Sequence, residues 1–115
     1  MNIWLDDLRN PKDWITPPLS HYNWTWVKNA ERCIDIIDFG NIWIISFDHD
    51  LGTELTGYDV AKYIEKLCYE GEIRCPIYHI HSANVIGAQN IKAAMINAKY
   101  YSNKIEREII GGIKS

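Results

Sequence analysis

Ionisable side chains directly follow the most apolar stretch of the sequence. Asp48, His49 and Asp50 stand in the segment SFDHDLG, immediately after the apolar residues 42–47. A continuous apolar run of this length is typical of a parallel strand covered on both faces. The two carboxylates and the imidazole therefore begin where a buried strand ends, a position from which they can serve proton transfer or metal binding.

Two further polar clusters follow shorter apolar stretches. Asp6 and Asp7 come after residues 2–5, and the segment HIHSAN brings His81, Ser82 and Asn84 to the end of residues 77–80. His79 lies within the latter stretch, which favours a buried histidine whose ring nitrogens are hydrogen-bonded in the core. Asp50, directly before Leu51 and Gly52, is typical of a turn residue.

The elements that must position these clusters alternate along the chain. Strands are predicted over residues 2–5, 24–27, 42–47 and 77–80. Helical patterns run from a cap at Asn29 to Gly40, from Val60 to Gly71, and over residues 91–98. Residues 8–23 contain three prolines and predict a long loop, and the tail 102–115 fits either a short strand or a helix.

Strands that alternate with helices predict a parallel α/β sheet of the flavodoxin-like type, with the strand order 2-1-3-4 and helices on both faces. A fifth element is uncertain. In such sheets ligands bind beyond the carboxyl ends of the strands. The three polar clusters are therefore expected to meet at one rim of the sheet.

Composition limits the classes of function. The 115 residues predict one domain, 1–115, and the net charge of −3 argues against a surface that binds duplex nucleic acid. No apolar stretch approaches the roughly 20 residues that span a bilayer. The start of the chain lacks the features of a secretory signal, which predicts a cytoplasmic protein. The sequence leaves the oligomeric state open.

Several carboxylates on one rim require a compensating charge or proton. Two of them a few ångströms apart repel by about 4 kcal/mol at an effective dielectric constant of 20. Oxygen-rich sites favour Mg²⁺ or Mn²⁺, so Asp6, Asp7 and Asp48 are the predicted metal ligands. The alternative is acid–base catalysis by His49 and His81 alone, without a metal.

Four segments together resemble a known family. WLDDLRNP, SFDHDLG, TGYDVAKYIE and HIHSAN occur in order over residues 3–98 and are similar to the cyclic-phosphate-processing receiver-like family, small relatives of response-regulator receiver domains. The resemblance implies a receiver-like fold and activity on cyclic phosphates, in nucleotide signals or cyclic RNA ends. It also implies metal binding by Asp6, Asp7 and Asp48, and phosphate contact by Ser82.

The chain departs from ordinary receivers in several places. No Lys can be assigned to the end of a fifth strand, and a proline-containing loop replaces the first crossover helix. Val85 follows the HSAN segment where the family typically has Pro. These departures make a switch phosphorylated on Asp48 the least favoured hypothesis.

The leading hypothesis is a phosphodiesterase that opens a cyclic nucleotide or another cyclic phosphate. His49 and His81 would act as general acid and base beside Asp48. The predicted substrate-binding residues are Arg9, Ser82, Asn84 and Tyr58, the last as a base-stacking ring. The alternative is a binding protein that sequesters a nucleotide signal without cleaving it.

Overall fold

A computed structural model describes residues 1–112 of the chain, and its centre is a four-stranded parallel sheet. The strands lie in the order β2-β1-β3-β4, as the sequence predicts. In-register pairing aligns Trp4 of β1 with Trp26 and Ser46 of its two neighbours, and Ser46 with His79 of the edge strand. The strands are β1 (Asn2–Leu5), β2 (Trp24–Val27), β3 (Ile44–Phe47) and β4 (Ile77–Ile80).

One face of the sheet forms the main core with three helices. Alternate strand residues, such as Leu5 and Phe47, are fully buried in one cluster with Cys33, Ile64 and Met95 of the helices. The helices are α2 (Ala30–Phe39), α3 (Gly57–Tyr69) and α4 (Val85–Gly111).

Side-chain caps fix where these three helices begin. Asn29 accepts a hydrogen bond from the Arg32 N–H at the start of α2, as its position in the sequence predicts. Thr56 and Asp59 form a reciprocal capping box at the start of α3. Asn84 caps α4 by accepting from the Gly87 N–H.

The segment between β1 and β2 covers the opposite face. It was predicted as irregular, but it contains a short helix, α1 (Pro11–Trp14), and a 3₁₀ turn (Leu19–His21). Asn10 caps α1 and Pro11 occupies its first turn, which explains why a helix forms there despite the prolines. The indole N–H groups of Trp4 and Trp24 donate to Arg9 O and Leu19 O, at 2.8 and 2.9 Å, and hold the segment against the sheet.

Several boundaries differ from the prediction, and α4 begins at Val85, before the predicted residues 91–98. β3 begins at Ile44 rather than at residue 42. The ambiguous tail is helical as far as Gly111, because Tyr101 packs edge-on against Tyr69 of α3 and Ile105 reaches the turn at Gly71. Residues 113–115 of that tail lie outside the described part. Within residues 1–112, none of the helices combines the length and apolar character needed to cross a bilayer.

Candidate functional site

The strand ladder continues one residue beyond three strands and thereby brings the predicted clusters to one rim. Asp6 N–H donates to Val27 O at 3.0 Å, Asp48 N–H to Leu5 O at 2.8 Å, and His81 N–H to Phe47 O at 2.9 Å. The register that pairs Trp4, Ser46 and His79 therefore extends by two residues to Asp6, Asp48 and His81. In-register parallel pairing is what makes residues far apart in sequence neighbours here.

The structure brings the three predicted metal ligands together. Asp6, Asp7 and Asp48 each present a carboxylate oxygen, and these oxygens lie within 4.8 Å of one another. Asp6 and Asp48 are only 1% and 8% exposed. Burial raises the pKa of Asp48, and the neighbouring charge of Asp6 raises it further. We call these three side chains the acid cluster.

The two oxygens of Asp6 have different partners. Oδ1 accepts from the N–H groups of Leu8 and Arg9, both at 2.8 Å, so both of its lone pairs are used. Oδ2 lies 3.0 Å from Nε2 of His81 and 3.9 Å from Nε of Arg9. Oδ2 is therefore the oxygen of Asp6 that keeps capacity for a further ligand.

Three neighbouring side chains constrain the ring of His81. Its ring stacks on Trp4 with centroids 3.8 Å apart and planes 2° from parallel. Nε2 faces Asp6, and Nδ1 lies 2.7 Å from the hydroxyl of Ser46. Burial lowers the pKa of His81 to about 4, although the Asp6 carboxylate acts in the opposite direction. Both ring nitrogens are engaged, so a proton exchange with a substrate would require one of these two bonds to break.

His49 is oriented by its neighbours in a different way. Its Nδ1 lies 2.8 Å from Oδ1 of Asp50, an acceptor, so Nδ1 carries the hydrogen and Nε2 carries the lone pair in the neutral ring. The ring lies against the first turn of α4, where a Cβ on Gly87 would come within 2.3 Å of the ring's Cγ. Only glycine at position 87 leaves room for this ring orientation.

The predicted substrate-binding residues lie at different distances from this arrangement. Arg9 Nη1 donates to His81 O at 2.9 Å, and the Ser82 hydroxyl is close enough to the Asp48 carboxyl to lower its pKa. Both belong to the site. The amide oxygen of Asn84 accepts from the Gly87 N–H and so caps α4. Its Nδ2 lies 3.4 Å from His49 Nδ1. The Lys62 ammonium lies 5.5 Å from the centroid of the Tyr58 ring, so this ring contacts Lys62 rather than the acid cluster.

Some residues of the site were missed or misread in the sequence. His79 is not a core histidine: it is exposed, and its Nδ1 lies 3.1 Å from the Ser46 hydroxyl. Asp50 orients His49 besides lying in a turn. Ser46 gave no signal beyond being the one polar residue in an apolar strand, and Trp4 was indistinguishable from a packing residue.

The donor set fits a hard divalent cation. Three ionised carboxylates would carry three negative charges, and Arg9 adds one permanent positive charge 3.9 Å from Asp6. An all-oxygen set with surplus negative charge matches the preference of Mg²⁺ and Mn²⁺. The imidazole nitrogen nearest the cluster is bonded to Asp6, which leaves it a supporting rather than a ligating position.

Comparison with protein-family models identifies a match to the cyclic-phosphate processing receiver domain over residues 1–97. The chain belongs to this family. The match covers the four described strands and the acid cluster, and it ends within α4. Searches among curated proteins and among solved structures gave no significant match.

Proposed function

We propose that this protein hydrolyses a cyclic phosphate ester, either in a cyclic nucleotide or at a cyclic RNA end. The observation that carries the proposal is the acid cluster, with its oxygens within 4.8 Å of one another at the rim of the sheet. The family supports cyclic phosphate as the ligand class. The neighbouring histidines and Arg9 supply the polar groups that phosphoester hydrolysis requires.

The acid cluster would hold one divalent cation, Mg²⁺ or Mn²⁺. Such a cation would neutralise negative charge on the phosphoryl oxygens. Asp6 and Asp48 are buried, and hydrogen bonds to both oxygens hold the Asp6 carboxylate in place before any cation binds. Rigid placement avoids the entropy cost of collecting mobile carboxylates.

Arg9 and Ser82 would orient the phosphate. The Arg9 side chain is 30% exposed and uses Nη1 on His81 O, which leaves N–H groups for a non-bridging oxygen. Ser82 already lies beside Asp48. A guanidinium next to buried carboxylates also reduces their repulsion toward an incoming anion.

His49 would act as the general base. Nε2 takes a proton from water while the water oxygen bonds to phosphorus, one ring P–O bond breaks, and the released alkoxide oxygen takes a proton from solvent. Asp50 holds the hydrogen on Nδ1 and stabilises the imidazolium that forms. The two-histidine acid–base pair stays a prediction. The bonds of His81 to Asp6 and Ser46 favour His49 as the residue that moves the proton.

A panel of ligands separates catalysis from sequestration. Purified protein is incubated with cyclic mono-, di- and oligonucleotides and with RNA that ends in a cyclic phosphate, with Mn²⁺ or with EDTA, and products are resolved by mass spectrometry. We expect one class to gain the mass of one water with Mn²⁺ but not with EDTA. A ligand that raises the melting temperature yet is recovered intact would establish sequestration instead.

A further inference from the structure

A chain of hydrogen bonds joins the exposed edge strand to the acid cluster. His79 Nδ1 lies 3.1 Å from Ser46 Oγ, Ser46 Oγ lies 2.7 Å from His81 Nδ1, and His81 Nε2 lies 3.0 Å from Asp6 Oδ2. The strand register explains why these side chains are neighbours, because Ser46 pairs directly with His79 and His81 is two residues further along the same face. No other hydroxyl lies inside the described strand β3, which otherwise reads Ile-Ile-Phe.

A hydroxyl suits this position better than any apolar residue of similar size. It has one hydrogen and two lone pairs, so it can donate to one ring nitrogen and accept from the other. Ser46 is 2% exposed. An alanine there would leave the buried Nδ1 of His81 facing a methyl group, without water to replace the lost partner.

Stacking and hydrogen bonding constrain different motions of the His81 ring. The parallel contact with Trp4 at 3.8 Å fixes the plane of the ring but permits a half-turn about the Cβ–Cγ bond, which keeps the plane and exchanges each ring nitrogen with a carbon. The bond from Nδ1 to Ser46 prevents that turn. The direction in which Nε2 points therefore depends on Ser46.

The orientation of His81 in turn affects the one Asp6 oxygen that remains for a ligand. Oδ1 is saturated by the N–H groups of Leu8 and Arg9, so Oδ2 is the remaining ligand atom. His81 takes one lone pair of Oδ2 and leaves the other for a cation. A shift of His81 would alter the one free ligand position that Asp6 provides.

We propose that Ser46 and His79 are positioning residues, which hold His81 so that it fixes the Asp6 carboxylate for cation binding. The cation part of this inference rests on the proposed function, whereas the orientation of His81 does not. Ser46 acts directly on the ring and His79 acts through Ser46. Loss of supporting partners of this kind weakens metal affinity by about 10–100-fold.

The test compares Ser46→Ala and His79→Ala with wild type and with Thr25→Ala, which removes an exposed hydroxyl from β2. Melting in EDTA first establishes that each variant folds. Mn²⁺ titration calorimetry should give affinity at least about tenfold weaker for Ser46→Ala, a smaller loss for His79→Ala, and wild-type affinity for Thr25→Ala. Partial recovery in Ser46→Thr would support the role of the hydroxyl. Wild-type Mn²⁺ affinity in Ser46→Ala would overturn the proposal.

A second readout does not require a metal. Long-range ¹H–¹⁵N correlation spectra report the hydrogen-bonded state of each His81 nitrogen, and we expect the Nδ1 resonance to move in Ser46→Ala but not in Thr25→Ala. If wild-type protein binds no Mn²⁺, the proposed function fails and these spectra alone decide the positioning role. A shifted Nδ1 resonance then supports it, and an unchanged one overturns it.

Discussion

Neutralising Asp48 should stabilise the metal-free protein. The acid cluster places carboxylate oxygens within 4.8 Å of one another, and one such pair repels by about 3 kcal/mol at an effective dielectric constant of 20. Asp48→Asn removes this repulsion and the cost of burying the charge, while an amide can still accept from the His49 N–H. The attraction of Arg9 is lost at the same time. We expect a net gain of about 1–3 kcal/mol, or roughly 4–12 °C in melting temperature.

A divalent cation should largely cancel this difference in stability. At 100 times its dissociation constant, a cation that binds only the folded state stabilises wild-type protein by about 2.7 kcal/mol, and Asp48→Asn should gain little. Thermal melts in EDTA and in Mn²⁺ measure both effects. Asp35→Asn is the matched control, since it removes one exposed negative charge from α2. The reasoning is refuted if Asp48→Asn is no more stable than Asp35→Asn in EDTA, or if it keeps the full Mn²⁺ response.

Three further predictions concern the histidines and their surroundings. His49→Gln should lower turnover by about 10²–10⁴-fold while Mn²⁺ affinity is retained, and a rate near wild type would exclude His49 as the base. Gly87→Ala should also lower turnover, because its Cβ would displace the His49 ring, whereas Gly111→Ala in the same helix meets nothing within 4 Å and should not; equal rates in the two variants would contradict this geometry. In EDTA, the stability contributed by neutral His81 should be present above pH 6.5 and be lost as the pH falls toward about 4, because burial lowers its pKa and the unfolded chain takes up the proton first. Urea melts across this range should show a steeper loss for wild type than for His81→Gln, and parallel curves would contradict the lowered pKa.

The fold and the meeting of the acids could be predicted from local patterns. Alternating strands and helices require a parallel sheet, and the carboxyl ends of parallel strands share one edge. Asp6 and Asp48 directly follow strands and Asp7 is the residue after Asp6, so their convergence needs no knowledge of side-chain directions. The helix start at Asn29 likewise depends on capping chemistry within a few residues.

The supporting interactions depended on contacts that no local pattern contains. Ser46 and His79 act together because of the β3–β4 register, and Trp4 meets His81 only after the sheet has formed. The difference between the two histidines is of the same kind. Asp50 leaves Nε2 of His49 for proton transfer, whereas Asp6 and Ser46 occupy both nitrogens of His81.

Ring opening in ¹⁸O-enriched water tests the central claim most directly. Wild-type protein, Asp48→Asn and Asp35→Asn are each incubated with cyclic phosphates and Mn²⁺, and the product mass is followed with time. Hydrolysis at this site predicts a product that carries one ¹⁸O on phosphorus, formed by wild type and Asp35→Asn but lost in Asp48→Asn and in EDTA. Intact cyclic phosphate across the whole panel, or equal product from Asp48→Asn, would contradict the account.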